Sequence, residues 1–173
     1  MISGLTGGHS GMDIHLGRGN ANKLMNRLLL QGARQFGLRV HSIDGGSLRN
    51  AIPRESVAVV GVPSEKADAF RAFIDQEGRV LQSEYSTTDP SLKVSIDAAN
   101  APATVLAADF QRSLLAVTAT CPNGIHRMSP DIPNLVQTSN NLARVLVAEG
   151  SYSIQCLTRS SVDSEKMDLA LTI

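Results

Sequence analysis

His9 stands within Gly7-Gly8-His9-Ser10-Gly11 and Asn50 opens Asn50-Ala51-Ile52-Pro53, so an imidazole and a carboxamide occupy two loops that bracket one helix. Glycines let the backbone approach a ligand and leave the imidazole uncovered, which suits donation of a hydrogen bond to a developing oxyanion. A solvent-exposed turn histidine accounts for the same stretch. Pro53 forces the residue before it to be extended, which can hold the Asn50 carboxamide in a fixed direction, and a turn-forming asparagine is the commoner alternative. Arg159 lies among apolar and small residues, Ile154 to Ser161, where a guanidinium needs a carboxylate partner or a ligand anion.

Other chemistry finds little support. Ser10 beside His9 is not on the strand-turn-helix elbow that a hydrolase nucleophile uses, and sequence neighbours rarely face each other. His15 has neither helical i, i+4 spacing to His9 nor a third ligand nearby, which argues against a zinc site. Gly17-Arg18-Gly19 lacks the third glycine and preceding hydrophobic strand of a phosphate loop. His41 and His126 read as structural.

These groups need a scaffold, and its outline follows from periodicity. Met1 to Leu5 reads as the end of a strand, abrupt enough to suggest a fragment of a longer protein. Asn20 or Asn22 caps a helix with Leu24, Met25, Leu28, Leu29 and Ala33 on one face, ending near Gly37. Leu38, Val40 and Ile43 mark a strand whose last step slips by one. Ser56 to Val62 is a near-continuous Val/Ala run, expected in the sheet centre. Ser64 is expected to cap a second helix with Ala67, Phe70, Phe73, Ile74 and Leu81 inside, weakened at Gly78. Leu92, Val94 and Ile96 alternate as a half-buried strand. A third helix is expected from about Ala103 to Ala119, followed by a long proline-rich loop, Thr120 to Asn134, as a second place to look for a site. Leu142 to Ala148 and Tyr152 to Ser160 form a hairpin, and Val162 to Leu171 a last helix that stops at the chain end. The expected architecture is α/β (α+β): one two-layer sandwich over residues 1–173, a mostly antiparallel sheet covered on one face by helices.

Composition narrows the partners. The 173 residues are 42% hydrophobic, enough for one good core. Lys plus Arg equals Asp plus Glu at 16 each, so no long-range field draws the chain to nucleic acid or an anionic membrane. No apolar run approaches the roughly 20 residues of a membrane span, and no export signal opens the chain. Cys121 and Cys156 read as reduced thiols in a cytoplasmic protein, because a domain of this size needs no staple.

Read together, Gly4-Leu5-Thr6-Gly7-Gly8-His9-Ser10-Gly11, Gly17-Arg18-Gly19-Asn20-Ala21-Asn22-Lys23-Leu24 and Gly45-Gly46-Ser47-Leu48-Arg49-Asn50-Ala51-Ile52-Pro53-Arg54-Glu55 closely resemble the aminoacylhistidine dipeptidases. Pro122-Asn123-Gly124, Arg127-Met128-Ser129-Pro130, Gln137-Thr138-Ser139-Asn140-Asn141-Leu142 and Arg159-Ser160-Ser161-Val162-Asp163-Ser164 continue the match in order. That family belongs to the carnosinase-like di-zinc metallopeptidases, in which a lid domain is inserted into a catalytic domain that binds two zinc ions. The chain resembles the ferredoxin-like lid, itself carrying an insertion, and lacks the segments that supply metal ligands and the general-base glutamate. The resemblance implies a cytoplasmic parent that hydrolyses Xaa-His dipeptides, with zinc held by a catalytic domain absent from this chain and inactivity of the fragment alone. It implies a homodimer in which His9 polarises the scissile carbonyl, often in the partner subunit's active site, while Asn50 and Arg159 bind substrate, Arg159 at the C-terminal carboxylate. A stand-alone, non-catalytic binding or dimerisation module with the lid fold is the alternative.

Overall fold

The computed structural model describes residues 1–173 and holds one sheet of seven strands, a separate two-stranded ribbon and four α-helices. Its first unit runs β1 (Ile2–Ser3), α1 (Ala21–Phe36), β3 (Arg39–Gly45), β5 (Ser56–Gly61), α2 (Ala67–Glu84) and β6 (Lys93–Val94). Those strands lie in the order β6-β1-β5-β3, all antiparallel, which is the ferredoxin-like arrangement. The remaining elements are α3 (Ala108–Thr120), β7 (Gly124–Met128), β8 (Val136–Ala148), β9 (Ser151–Ser160) and α4 (Asp163–Thr172). They follow that unit rather than interrupt it. β8 pairs with β3 through Val145, Leu146 and Val147, with β7 through its first half and with β9 along nearly its whole length, so the sheet is one continuous surface.

The core lies where α1 packs on the sheet and against α2 and α3. Leu24, Met25, Leu28 and Leu29 face Ile2, Val40, Ile43, Leu142, Val145 and Val147, and Leu114 and Leu115 of α3 close one side. Asn20, not Asn22, caps α1: its Oδ1 accepts from the amides of Asn22 (3.0 Å) and Lys23 (3.3 Å). Gly37 ends that helix at φ 71°, a conformation that favours glycine. The slipped step between Val40 and Ile43 is a β-bulge, because the register with β5 shifts between Val40 and Ser42.

Several boundaries differ from the sequence expectation. Ser64 does not cap α2; it opens a short 3-10 turn, Ser64–Lys66, and the helix starts at Ala67. Gly78 interrupts nothing: it is buried in α2, and a Cβ there would lie 3.2 Å from the Val94 Cβ, so the missing side chain lets β6 approach. The Leu92–Ile96 strand shrinks to two residues at the sheet edge. α3 begins at Ala108 rather than Ala103, since Leu106 N donates to Val40 O (2.7 Å) and ties that stretch to β3. The expected Thr120–Asn134 loop contains β7, with Pro122 before it and Pro130 and Pro133 after it. β8 starts six residues before Leu142, at Val136, because its polar first half is buried and hydrogen-bonded rather than exposed. No helix is long and apolar enough to cross a membrane.

Candidate functional site

The two loops around α1 meet. β2 (Gly8–His9) pairs antiparallel with β4 (Ala51–Ile52), placing His9 opposite Ala51, and Ser10 N donates to Asn50 O at 2.8 Å. The half-buried His9 ring accepts at Nδ1 from the amides of Gly11 (3.2 Å) and Met12 (3.1 Å). A hydrogen on Nδ1 would face two N–H groups, so Nε2 carries it and is left as a donor. Asp13 holds the backbone behind the ring. Its Oδ2 accepts from His9 N at 2.8 Å and pairs with Arg18 at 3.5 Å, while Arg18 Nη1 donates to Gly7 O at 2.5 Å. Gly8 has φ 140°, and any Cβ there would collide with the Asp13 and Arg18 side chains. The buried Asp89 ties both flanks of this loop, accepting from Thr6 N and Gly19 N, each at 2.8 Å.

Arg159 reaches the same place from β9, where it lies opposite Ser139. A Cβ built on Gly11 would lie 3.2 Å from His9 Cε1 and 3.3 Å from both Cδ and Nε of Arg159. Only a bare glycine therefore separates the imidazole from the guanidinium. Arg159 takes part in none of the ion pairs of the chain, and its Nε is buried without a partner. A cation with no carboxylate beside a free imidazole N–H forms a receptor for an anion or for an oxygen that gains negative charge. Ser10 is buried at 1% exposure with its hydroxyl unpartnered, poorly placed to meet a substrate from solution.

Asn50 sits in an exposed turn, and its carboxamide makes no hydrogen bond within the chain. Pro53 does not hold it: the proline constrains Ile52, two residues beyond Asn50, which is already extended in β4. The turn is fixed instead by the buried Asn141, whose Nδ2 donates to Arg49 O (3.1 Å) and Ala51 O (2.8 Å). Neighbouring amides extend this network. Asn20 Nδ2 donates to Asn123 Oδ1 at 2.8 Å, and Asn140 donates to Pro122 O at 2.7 Å while accepting from Thr158 at 3.0 Å. Next to Arg159 on β9, the Ser160 hydroxyl meets Thr138, and Thr138 and Gln137 donate to Glu165 of α4. Those bonds, the Thr138 one foremost and with Arg127 adding its charge, hold the Glu165 carboxyl below the usual range.

Sequence reasoning missed Asp13, Asp89 and Asn141. For Asn141 a signal existed, in five consecutive polar residues leading into an apolar strand. None of the other histidines joins His9 and Arg159: His41 donates from Nδ1 to Thr104 O (2.8 Å), His126 is exposed on β7, and His15 lines a cavity of about 270 Å³ with Arg18, Ile52 and Asn123. A larger hollow of about 410 Å³ is apolar and lies under α1 and α2, away from His9. No group of three or more His, Cys, Asp or Glu side chains converges, so the residues present do not fit a zinc pair.

Residues 1–89 match the family model described as Peptidase dimerisation domain. The chain belongs to the peptidase dimerisation domain family. This dimerisation domain is 38% identical over 166 residues to the cytosol non-specific dipeptidase of Escherichia coli (strain K12), covering 95% of this chain and 34% of that protein. It superposes on the crystal structure of aminoacylhistidine dipeptidase from Vibrio alginolyticus with a TM-score of 0.96 and 37% identity, over 99% of this chain and 35% of that one. The dimerisation domain thus spans about a third of the length of these two relatives.

Proposed function

We propose that the chain is the lid and dimerisation domain of a cytoplasmic, zinc-dependent dipeptidase that cleaves Xaa-His dipeptides and works as a homodimer. The observation that carries this reading is the pairing of the free His9 Nε2–H with the unpaired Arg159 across Gly11. The two dipeptidases it resembles along nearly its whole length support the reaction class, and the word cytosol in one of their names supports the location. The zinc ions belong to a catalytic domain outside this chain, and the domain alone is inactive.

In this role the chain contributes geometry and charge. His9 donates from Nε2 to the scissile carbonyl oxygen, and the bond strengthens as that oxygen becomes an oxyanion. Arg159 grips the C-terminal carboxylate of the dipeptide, and Asn50 offers its unused carboxamide to the substrate backbone. Closure of the domain over the catalytic site orients the peptide and excludes water. The free C-terminus gives the test. In the enzyme carrying this domain, Arg159→Ala should raise KM for dipeptides by about 10–150-fold, the worth of a charged hydrogen bond, and leave C-terminally amidated substrates nearly unaffected. An equal loss for both substrate types would overturn the carboxylate role. A stand-alone binding module is the competing reading. It requires that the gene flanking this domain encode no zinc-ligand motifs.

A further inference from the structure

Two thiols unconnected with the His9 ribbon lie against each other. Cys121 follows α3, with its amide bonded to Val117 O at 2.8 Å and only 6% of its surface exposed. Cys156 is half-exposed on β9, opposite Leu142 of β8. They are 35 residues apart in sequence, yet their sulfurs are 3.4 Å apart and unbonded. A disulfide needs about 2.05 Å, so closure requires a shift on the order of 1 Å.

The surroundings distinguish the two sulfurs. The Lys23 ammonium donates to the carbonyl oxygens of Thr118 (2.8 Å), Ala119 (2.9 Å) and Cys121, which brings a positive charge to the end of α3 beside the pair. The hydrogen bond from Cys121, with further help from Asn140 and the Lys23 charge, draws the Cys156 thiol down to about 6 against the opposing effect of burial. The Cys121 thiol moves upward, because it donates to the Cys156 thiolate and is itself buried. Cys156, the more accessible of the two, is therefore the nucleophile, and the buried Cys121 is held ready behind it.

We propose that Cys121 and Cys156 are a reactive dithiol which small disulfides of the glutathione class oxidise to an intramolecular disulfide joining α3 to β9. The Cys156 thiolate attacks one sulfur of oxidised glutathione, forming a mixed disulfide and expelling one glutathione thiolate, which takes up a proton. Cys121 then loses its proton and attacks the Cys156 sulfur, forming the Cys121–Cys156 bond and expelling the second glutathione. Two protein thiols are oxidised and one glutathione disulfide is reduced to two thiols, with no other reagent.

The test incubates the full chain with oxidised glutathione, blocks residual thiols with an alkylating agent and maps peptides by mass spectrometry. The expected product is a cross-linked pair of peptides carrying Cys121 and Cys156, with no alkylation and no retained glutathione. Cys121→Ser should stop at a stable glutathione adduct on Cys156, and Cys156→Ser should react at least about tenfold more slowly. Persistence of both alkylatable thiols, or glutathione adducts on the wild type without a cross-link, would overturn the proposal. Equal rates for the two variants would overturn the assignment of Cys156 as the attacking group. The wild-type cross-link is decisive even if a serine variant fails to fold.

Discussion

Replacing Asn141 by leucine should loosen the site without touching any residue that meets a ligand. The change keeps the branching and heavy-atom count of the side chain but enlarges it in a buried place, so the lost hydrogen bonds set the least that it costs. Three hydrogen bonds disappear: those from Nδ2 to Arg49 O at 3.1 Å and to Ala51 O at 2.8 Å, and the one that Oδ1 accepts from Asn20 at 3.5 Å, too long to add much. Arg49 is in an exposed turn where water can replace the donor, which puts that loss near 1 kcal/mol; Ala51 is half-buried, and its loss lies at about 1–3 kcal/mol. The total of about 2–4 kcal/mol shifts the folding equilibrium by at least about 30-fold. With a urea slope near 2 kcal/mol/M, the midpoint falls by about 1–2 M at constant slope. The same release reaches His9's neighbour, because Ser10 N bonds to Asn50 O at the centre of the freed turn. Hydrogen exchange of the Ser10 amide should therefore accelerate by more than the loss of global stability explains. A midpoint shift below about 0.3 M with Ser10 exchange unchanged would refute the idea that Asn141 fixes this turn.

Gly11→Val places methyl groups where His9 Cε1 and Arg159 lie 3.2–3.3 Å from a bare Cβ position, so kcat/KM of the enzyme carrying the domain should fall at least about tenfold while circular dichroism stays native; unchanged kinetics would contradict the close approach. Glu165 predicts a pH dependence. Its carboxyl is held below its ordinary value of 4.5, so its contribution to stability is present above 4.5 and is lost as pH falls through the lower folded value. The urea midpoint of wild type should accordingly exceed that of Glu165→Gln at neutral pH and converge with it in acid, whereas a constant gap would exclude linkage through this group.

What the sequence disclosed depended on whether the signal was local. The slip between Val40 and Ile43 announced a bulge because side-chain alternation records register directly. The asparagine cap and Gly37 likewise act within one turn of α1. Ala103 to Leu106 reads as helix by periodicity, but a long-range bond from Leu106 to Val40 overrides that preference. The first half of β8 was hidden for a related reason: Gln137 to Asn141 are polar, and only their partners on α4, β4 and the segment before β7 make burial tolerable. For the site, His9, Asn50 and Arg159 could be singled out individually. That Gly11 brings His9 and Arg159 together, and that Arg159 lacks a carboxylate, depends on where β9 returns across the sheet. The contact between Cys121 and Cys156 is invisible to any local pattern for the same reason.

The most direct test of the account is turnover and metal content of the His9→Ala enzyme. The ring is positioned by Asp13 and by two amides donating to Nδ1, with Nε2–H left free, so its loss should lower kcat by about 10²–10³ while zinc per subunit stays unchanged. Normal kcat with normal zinc would contradict the claim that this domain supplies the oxyanion donor.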